Sequence, residues 1–575
     1  MKKLIIYILI VIMMIAMFSA CMIEGMEKET MAVETEITST PSVSTTGTAV
    51  SDFISSAGEG LASVEAKYEV IDIETDYDMA EAVNIALADD ATAIDGEGAS
   101  EDGNVVTISE AGTYVVSGEL SRGQLIVDAD KDAQVRLILN NAVIVNNAGS
   151  AINIKQAEKV IVTLNDGSEN YIEDASIYEN ADEDEPDAAI YSSDDLSFNG
   201  TGTLTVVGNY KHAIKTVDDL VITGGTYVIS AVEEGLRGKD SIAIQAGTFK
   251  IDVGDGAILA NNDSDEDKGW VVIDGGTFDL TSENNGIEGE LGVIINGGTF
   301  EFNAGQDALH SNGSIRISDG SIEIIAGDDG IHADNGVEIV GGNIDIMECY
   351  EGLEGSDVAI SGGNINIIAR DDGINAAGGS DDENNGGPGD QFNDSGNYFI
   401  LVSGGDVYVN AGGDGVDSNG DISVIGGTLM VDGPESGGNA AMDMERGSFI
   451  VNGGTLIAAG YTGMWVQPTS AQQAVLTIVL DENAAAGQTV TFTDDDGNGI
   501  FTVRPTKTYQ AVMISSPDIV VGETYKVDID GEILSVINGI YEQGIGVNHP
   551  KSTFNVTIED MILAVDQNGN ETTIS

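Results

Sequence analysis

"GDDGIHADNGVEIVGGNIDIMEC" (Gly327–Cys349) holds one complete structural unit. Two short runs in it, "VEIV" and "NIDI", alternate apolar with polar residues, and a Gly-Gly pair separates them. Alternation with period two predicts strands that each have one buried face. Runs this short cannot bury that face alone, so they need like runs stacked above and below them.

The stacking partners are present. The glycine equivalent to Gly342 stands at Gly225, Gly247, Gly276, Gly298, Gly320, Gly342 and Gly363, in steps of 22, 29, 22, 22, 22 and 21, and returns at Gly405, Gly427 and Gly454. This predicts an all-β parallel β-helix of about 22 residues per coil. Propeller blades of roughly 40–50 residues fit that step poorly, and so does the nine-residue calcium solenoid. Two coils carry insertions, "NNDSDEDKGW" after Asp255-Gly256 and "GGSDDENNGGPGDQFNDSGNYF" after Asp372-Gly373. Both follow the acidic turn, which predicts loops on one side of the solenoid, where repeat proteins often bind ligands.

The remaining segments frame this array. Residues 1–20 read as a lipoprotein signal peptide: basic "MKK", an apolar run Leu4–Phe18, then Ser19-Ala20 before Cys21, the expected lipidation site. An uncleaved anchor is the alternative, but the apolar run is short for spanning. Residues 21–83 read as a lipidated N-terminus and flexible Ser/Thr-rich tether, 84–464 as the β-helix, and 465–575 as a β-rich C-terminal cap or small β-domain. A cap is required because an open solenoid end exposes a strand edge. The expected location is the extracellular face of a bacterial membrane. Cys349 is the only cysteine besides Cys21, so lipidation would leave no intrachain disulfide.

With 97 Asp+Glu against 22 Lys+Arg the net charge is −75. Nucleic acid is excluded as a partner, because phosphate binding needs the opposite sign. Much of the acid falls in one column of turn residues: Glu234, Asp255, Asn285, Asp307, Asp329, Glu351, Asp372 and Asp414. Coils lie about 4.8 Å apart, where like charges repel by roughly 3–4 kcal/mol at an effective dielectric near 20. Asp328 and Asp371 precede the column, and Glu288, His310, His332, Glu354, Asn375 and Asp417 follow it by three residues. Clustered carboxylate and amide oxygens suit Ca2+. The preferred cluster is Asp328, Asp329, Asp371, Asp372 and Asn375, with Asp414 and Asp417 one coil further on; Glu234, Asp240 and Asp255 form a second group. The alternative is a solvated acidic face with Asp-Gly used only for turns. His310 and His332, one coil apart, are read as stacked rings, with a transition-metal site as the alternative.

At these residues the chain resembles a known family. "GTYVVSGEL", "GQLIVDA", "VRLILNNAVI", "AAIYSSDDLSFNGTGTLTV", "HAIKTVDDLVITGGTYVISA" and "EEGLRGKDSIAIQAGTF" resemble clostridial carbohydrate-binding-domain lipoproteins over roughly Asn84 to Gly531. The resemblance implies a right-handed parallel β-helix that binds calcium and acidic polysaccharide of the polygalacturonate (pectin) type, with cellulose as a further ligand. It also implies an architecture similar to family-nine pectate lyases, in which an Asp from one coil and an Asp-Asp-x-x-Asp turn from the next hold calcium. Here "DDGIN" matches at Asp371 and Asp372 but ends in Asn375, and "GDGVD" matches at Asp414 and Asp417 but begins with Gly413.

A lyase also needs a strong base, usually Lys or Arg. No lysine lies between Lys268 and Lys507, and the arginines of those repeats are Arg316, Arg370 and Arg446. Arg370, beside Asp371-Asp372, is a candidate grip for a uronate carboxylate. Arg237 and Lys239, with Lys215, are candidate ligand contacts near Glu234 and Asp255, with ordinary salt bridging as the alternative. Trp270, in the shorter insertion, is the candidate stacking residue, with a loop anchor as its alternative. The reading is a non-catalytic binding protein. A calcium-dependent lyase and a cation-binding adhesion or structural protein are its alternatives.

Overall fold

A computed structural model describes residues 64–178, 186–265, 267–377, 398–494, 498–533 and 540–574. Cys21 and most of the longer insertion lie outside them. Among the described residues the regular secondary structure is almost all strand, and most of the strands join one long, mostly parallel sheet. One regular coil shows why. Leu309–Ser311 is followed by Ser314–Ile317, the glycine turn, and then Ser321–Ala326. Each strand pairs in parallel with its equivalent one coil on, as in Leu309↔Ile331, Ser314↔Gly336 and Ser321↔Asn343. Three ladders result: a short-strand ladder, a middle ladder, and a long-strand ladder that follows the glycine turn. The acidic turn joins the long-strand ladder to the short-strand ladder of the next coil.

The glycine column earns its place through backbone geometry. All ten repeat glycines have positive φ, between 68° and 145°, a region that side chains other than glycine's rarely enter. At Gly276 and Gly298 a Cβ would also lie 3.0 Å from the ring of Phe278 or Phe300. Those rings belong to an inward stack, Tyr227, Phe249, Phe278 and Phe300, with centroids 4.9, 4.7 and 4.6 Å apart and nearly coplanar faces. Each such contact adds about 0.5–1.5 kcal/mol beyond area burial.

Both ends of the described solenoid are covered. At the C-terminal end Thr455–Gly460 pairs antiparallel with Tyr509–Ser515, which pairs with Val475–Ala484, and Ile562–Asp566 adds to the latter in parallel. A five-stranded antiparallel sheet with its own apolar core completes this cap. At the N-terminal end Val83–Leu87 pairs with Gly112–Leu120 and with Ala93–Asp95.

Of the flexible tether expected over residues 21–83, residues 21–63 lie outside the described ones, and the stretch from Val64 departs from the expectation. Val64 to Glu74 lie as a strap against the outer side of the middle ladder. One outward column there runs in register through Arg136, Ile161, Ser197, Val221, Ala243, Val272 and Ile294. Val64 and Ala66 pack on Val272 and Ile294. Asp72 is fully buried, 2.8 Å from Lys159 Nζ, and its Oδ1 accepts the Ser197 hydroxyl at 2.6 Å. Asn199 and Thr223 donate to the Asp72 carbonyl, and Arg136 to that of Glu74. The polarity of the segment concealed this, since its charged residues find buried partners on distant coils.

Candidate functional site

The acidic turns build a ladder of their own. Asp307 N–H donates to Asn285 Oδ1 at 3.1 Å, Asp329 N–H to Asp307 Oδ1 at 2.9 Å, and Glu351 N–H to Asp329 Oδ1 at 2.9 Å. Asp414 N–H donates to Asp372 Oδ1 at 2.5 Å. Thus Oδ1 of Asn285, Asp307, Asp329 and Asp372 orders the next coil, and the second polar atom of Asn285, Asp307 and Asp329 faces the short-strand ladder at Glu288, His310 and His332. Column position therefore has a structural use as well as a chemical one.

In the short-strand ladder, Lys215, Arg237, Leu259, Glu288, His310 and His332 are in register, followed by Glu354, Asn375, Asp417 and Asp443. The stripe passes from basic through apolar to acidic and imidazole groups. Carboxylates collect at two places on its later half: Asp329 with His332 and Glu354, and Asp372 with Asp414 and Asp417. Within each group the candidate ligand atoms lie within 4.8 Å of one another.

This divides the expected cluster. Asp328 and Asp371 stand in an outer column joined by backbone bonds through Tyr350, so a whole coil separates the two Asp-Asp pairs. At roughly 9–10 Å they do not share an ion. Asp329 goes to the imidazole side, and Glu351 Oε2 accepts from Asn375 Nδ2 at 2.8 Å. Asn375 is 2% exposed, and among the described residues its Oδ1 meets no hydrogen-bond donor. Gly413 explains the departure from the Asp-Asp turn: a Cβ there would run into the carboxylates of Asp371 and Asp372. An oxygen-lined cradle with a buried, unmet amide oxygen beside it fits a hard cation such as Ca2+.

Asp255 is misaligned by one residue. "GDGAIL" holds one more residue between its Asp and the stacked isoleucine than "GDDGIH" does, and Ile258 pairs with Leu236 and Ile287. Gly256 therefore occupies the column, and Asp255 lies in the outer one, accepting from Asn284 Nδ2. The second expected group, Glu234, Asp240 and Asp255, does not assemble. Asp240 holds Asn262 and Lys268. Glu234 contacts His212 and takes Arg237 Nη1 at 2.9 Å, while Asp187 pairs with Lys215 at 2.7 Å. Burial lowers the His212 pKa, but Asp187 and Glu234 outweigh it and raise it overall. This is an ion-pair network in which each carboxylate has a cation, so Arg237 is a salt-bridge partner. Sequence reading missed His212 and Asp187, although His212 lies 22 positions before Glu234.

Other candidates find plainer positions. Arg370 spends Nε on the Cys349 carbonyl at 3.1 Å and Nη2 on that of Gly327. Lys239 is exposed. Trp270 donates its indole N–H to the Asp267 carbonyl at 3.2 Å and packs beside Val272 and Ile294 with the strap residues, which is the anchor alternative. Lys507 is a residue whose position the sequence concealed. The C-terminal cap brings its Nζ to the carbonyl of Ala411, three residues before Asp414, and burial lowers its pKa. The lysine-free stretch in sequence is thus not lysine-free in space.

The electrostatics differ rung by rung. Burial pushes Asp372 up to about 8, with the charges of Asp414 and Asp417 adding to it. Burial and then Asp329 push Glu351 up to about 9. Asp329 is raised by burial and by Glu354 and Asp307, whereas at Asp307 the hydrogen bonds from His310 and His332 outweigh burial and hold it low.

Fold and site together define a parallel β-solenoid with an edge of stacked acidic turns. The profile of the family described as "carbohydrate-binding domain-containing protein" matches residues 102–352, 281–388 and 330–497, more than half of the chain. The chain belongs to that family. A curated relative of the same description from Acetivibrio thermocellus is 41% identical over 140 residues, 24% of this chain and 48% of the relative. The chain thus spans about half the length of the curated relative it matches. A solved chain described as "Structure of the polysaccharide lyase-like protein from C. thermocellum, Gadolinium derivative" is 34% identical, with TM-score 0.41, over 42% of this chain and 98% of its own.

Proposed function

We propose that this chain is a non-catalytic polysaccharide-binding protein that holds acidic glycan of the polygalacturonate type through Ca2+. In this reading a right-handed solenoid of about 22 residues per coil is displayed outside a bacterial membrane by lipid on Cys21. The observation that carries the reading is the convergence of Asp372, Asp414 and Asp417 within 4.8 Å, beside the buried, unmet Oδ1 of Asn375. These four residues would hold the ion. A chain of net charge −75 repels a polyuronate; bound Ca2+ supplies the positive charge that bridges the two anions.

The test is retention on polygalacturonate, with cellulose as a second matrix, in Ca2+ and in EDTA. Retention on polygalacturonate that EDTA abolishes supports the reading. No retention in either buffer, or equal retention in both, overturns it. One observation favours a second reading, a calcium-dependent lyase: Lys507, its pKa lowered, stands near the Asp414 turn as a base for the uronate C5 proton. Unsaturated uronide products that disappear in a Lys507→Met variant support that reading, and their absence from the wild-type digest excludes it.

A further inference from the structure

His310 and His332 occupy successive rungs of the short-strand ladder, and the binding reading above makes no use of them. Their rings are not stacked: the centroids lie 5.1 Å apart with the planes at 88°. Both instead present Nδ1 to one carboxylate oxygen, Asp307 Oδ2, at 2.9 Å from His310 and 3.5 Å from His332. All three residues are buried, at 3% exposure for Asp307, 9% for His310 and none for His332.

The surrounding bonds decide which atoms face inward. Asp307 Oδ1 is held by the Asp329 N–H at 2.9 Å, which leaves Oδ2 for the imidazoles. Asn312 donates its amide nitrogen to Glu290 at 3.0 Å, and so turns its Oδ1 toward His310 Nε2 at 3.2 Å. Nε2 must therefore carry the hydrogen. In neutral His310 the Nδ1 lone pair then points at a carboxylate that is itself an acceptor. That contact is favourable only with positive charge between the two, as a proton or as a metal ion. His332 lies in the same field of carboxylate oxygens: besides Asp307, its Nδ1 is 3.8 Å from Asp329, and its Nε2 is 3.9 Å from Asp334 and from Glu354. Two protons would place imidazolium charges on adjacent rungs. One divalent ion satisfies Asp307, His310 and His332 together.

We propose that Asp307, His310 and His332 form a binding site for a borderline divalent transition metal of the zinc type, separate from the oxygen-lined cluster at Asp372, Asp414 and Asp417. Two imidazoles and one carboxylate match the donor set of zinc sites with three protein ligands, whereas Ca2+ takes oxygen. Asn312 supplies the outer hydrogen bond that metal-ligating histidines characteristically make. The ion would clamp two successive coils.

Co2+ serves as the spectroscopic probe, added to chelator-stripped full chain in saturating Ca2+ so that oxygen sites are filled. The expected result is one equivalent bound, with the intense ligand-field absorption of a low-coordinate nitrogen–oxygen site, displaced by Zn2+. Asn312 is exposed, so Asn312→Ala should leave the fold intact and weaken Co2+ binding by about 10–100-fold; His310→Gln and Asp307→Asn should weaken it further. Binding that Ca2+ competes away, a weak six-coordinate spectrum, or affinity unchanged in folded Asn312→Ala and His310→Gln overturns the proposal.

Discussion

Asp372→Asn should stabilise the calcium-free protein at alkaline pH and abolish its response to calcium. Asp372 is 9% exposed, and burial together with Asp414 and Asp417 pushes its pKa up from 3.8 to about 8. The unfolded chain releases this proton near the ordinary value and the folded chain retains it. The associated stability is therefore full below about 3.8 and is lost as pH rises toward 8. A shift of about four pH units at about 1.36 kcal/mol each sets a ceiling of about 5.5 kcal/mol. Relaxation and water entry at buried charges reduce this, to roughly 3 kcal/mol. Asparagine is neutral throughout and keeps an Oδ1 for the Asp414 N–H. In EDTA the variant should thus match wild type only below about pH 3.8, exceed it by about 1 kcal/mol near about pH 5 and by about 3 kcal/mol near about pH 8.5. Free Ca2+ at a hundred times its dissociation constant should return about 2.7 kcal/mol to wild type and far less to the variant. Guanidinium denaturation followed by circular dichroism at both pH values, with and without Ca2+, reads all four quantities. A difference between variant and wild type that stays the same at both pH values in EDTA refutes the reasoning.

Phe278 sits 1% exposed between Phe249 and Phe300, so Phe278→Ala should cost about 3–5 kcal/mol, read as a lowered thermal midpoint. A loss under about 1 kcal/mol would show that neighbouring coils close the gap. Asp72→Ala leaves the Lys159 ammonium buried without its nearest carboxylate, at a cost of about 3–5 kcal/mol. It should also expose Val64 to Glu74 to limited proteolysis; a strap as resistant as wild type counts against its being held by this ion pair.

What could be read from the chain depended on whether the signal was local or periodic. Gly225 through Gly454 mark the coils because each must take a positive φ at the same turn, so spacing alone located the ladders. Asp372, Asp414 and Asp417 were visible for the same reason. Asp255 was placed one position wrong because alignment on Asp-Gly ignores the extra alanine that precedes the stacked isoleucine. The proposed sharing between the Asp328-Asp329 and Asp371-Asp372 pairs failed because the coil of Tyr350-Glu351 intervenes. Both were legible in the chain: Glu351 already stands between Asp329 and Asp372 in the column, and Ala257 shows as an extra residue once the isoleucines are aligned.

The sequence by itself determined the solenoid, its repeat and the acidic edge, since each follows from a pattern that recurs every coil and from charge that must be answered somewhere. Tertiary structure alone decided how that charge is answered. It assigned Arg237 to Glu234, aimed two imidazoles at Asp307, brought Lys507 back to the Ala411 carbonyl, and laid Asp72 on Lys159. These are contacts between residues far apart in the chain or tied to one rung, and a repeat pattern carries no information about either. Their partners are chosen by burial, where an unanswered charge costs several kcal/mol, and burial exists only once the coils are stacked.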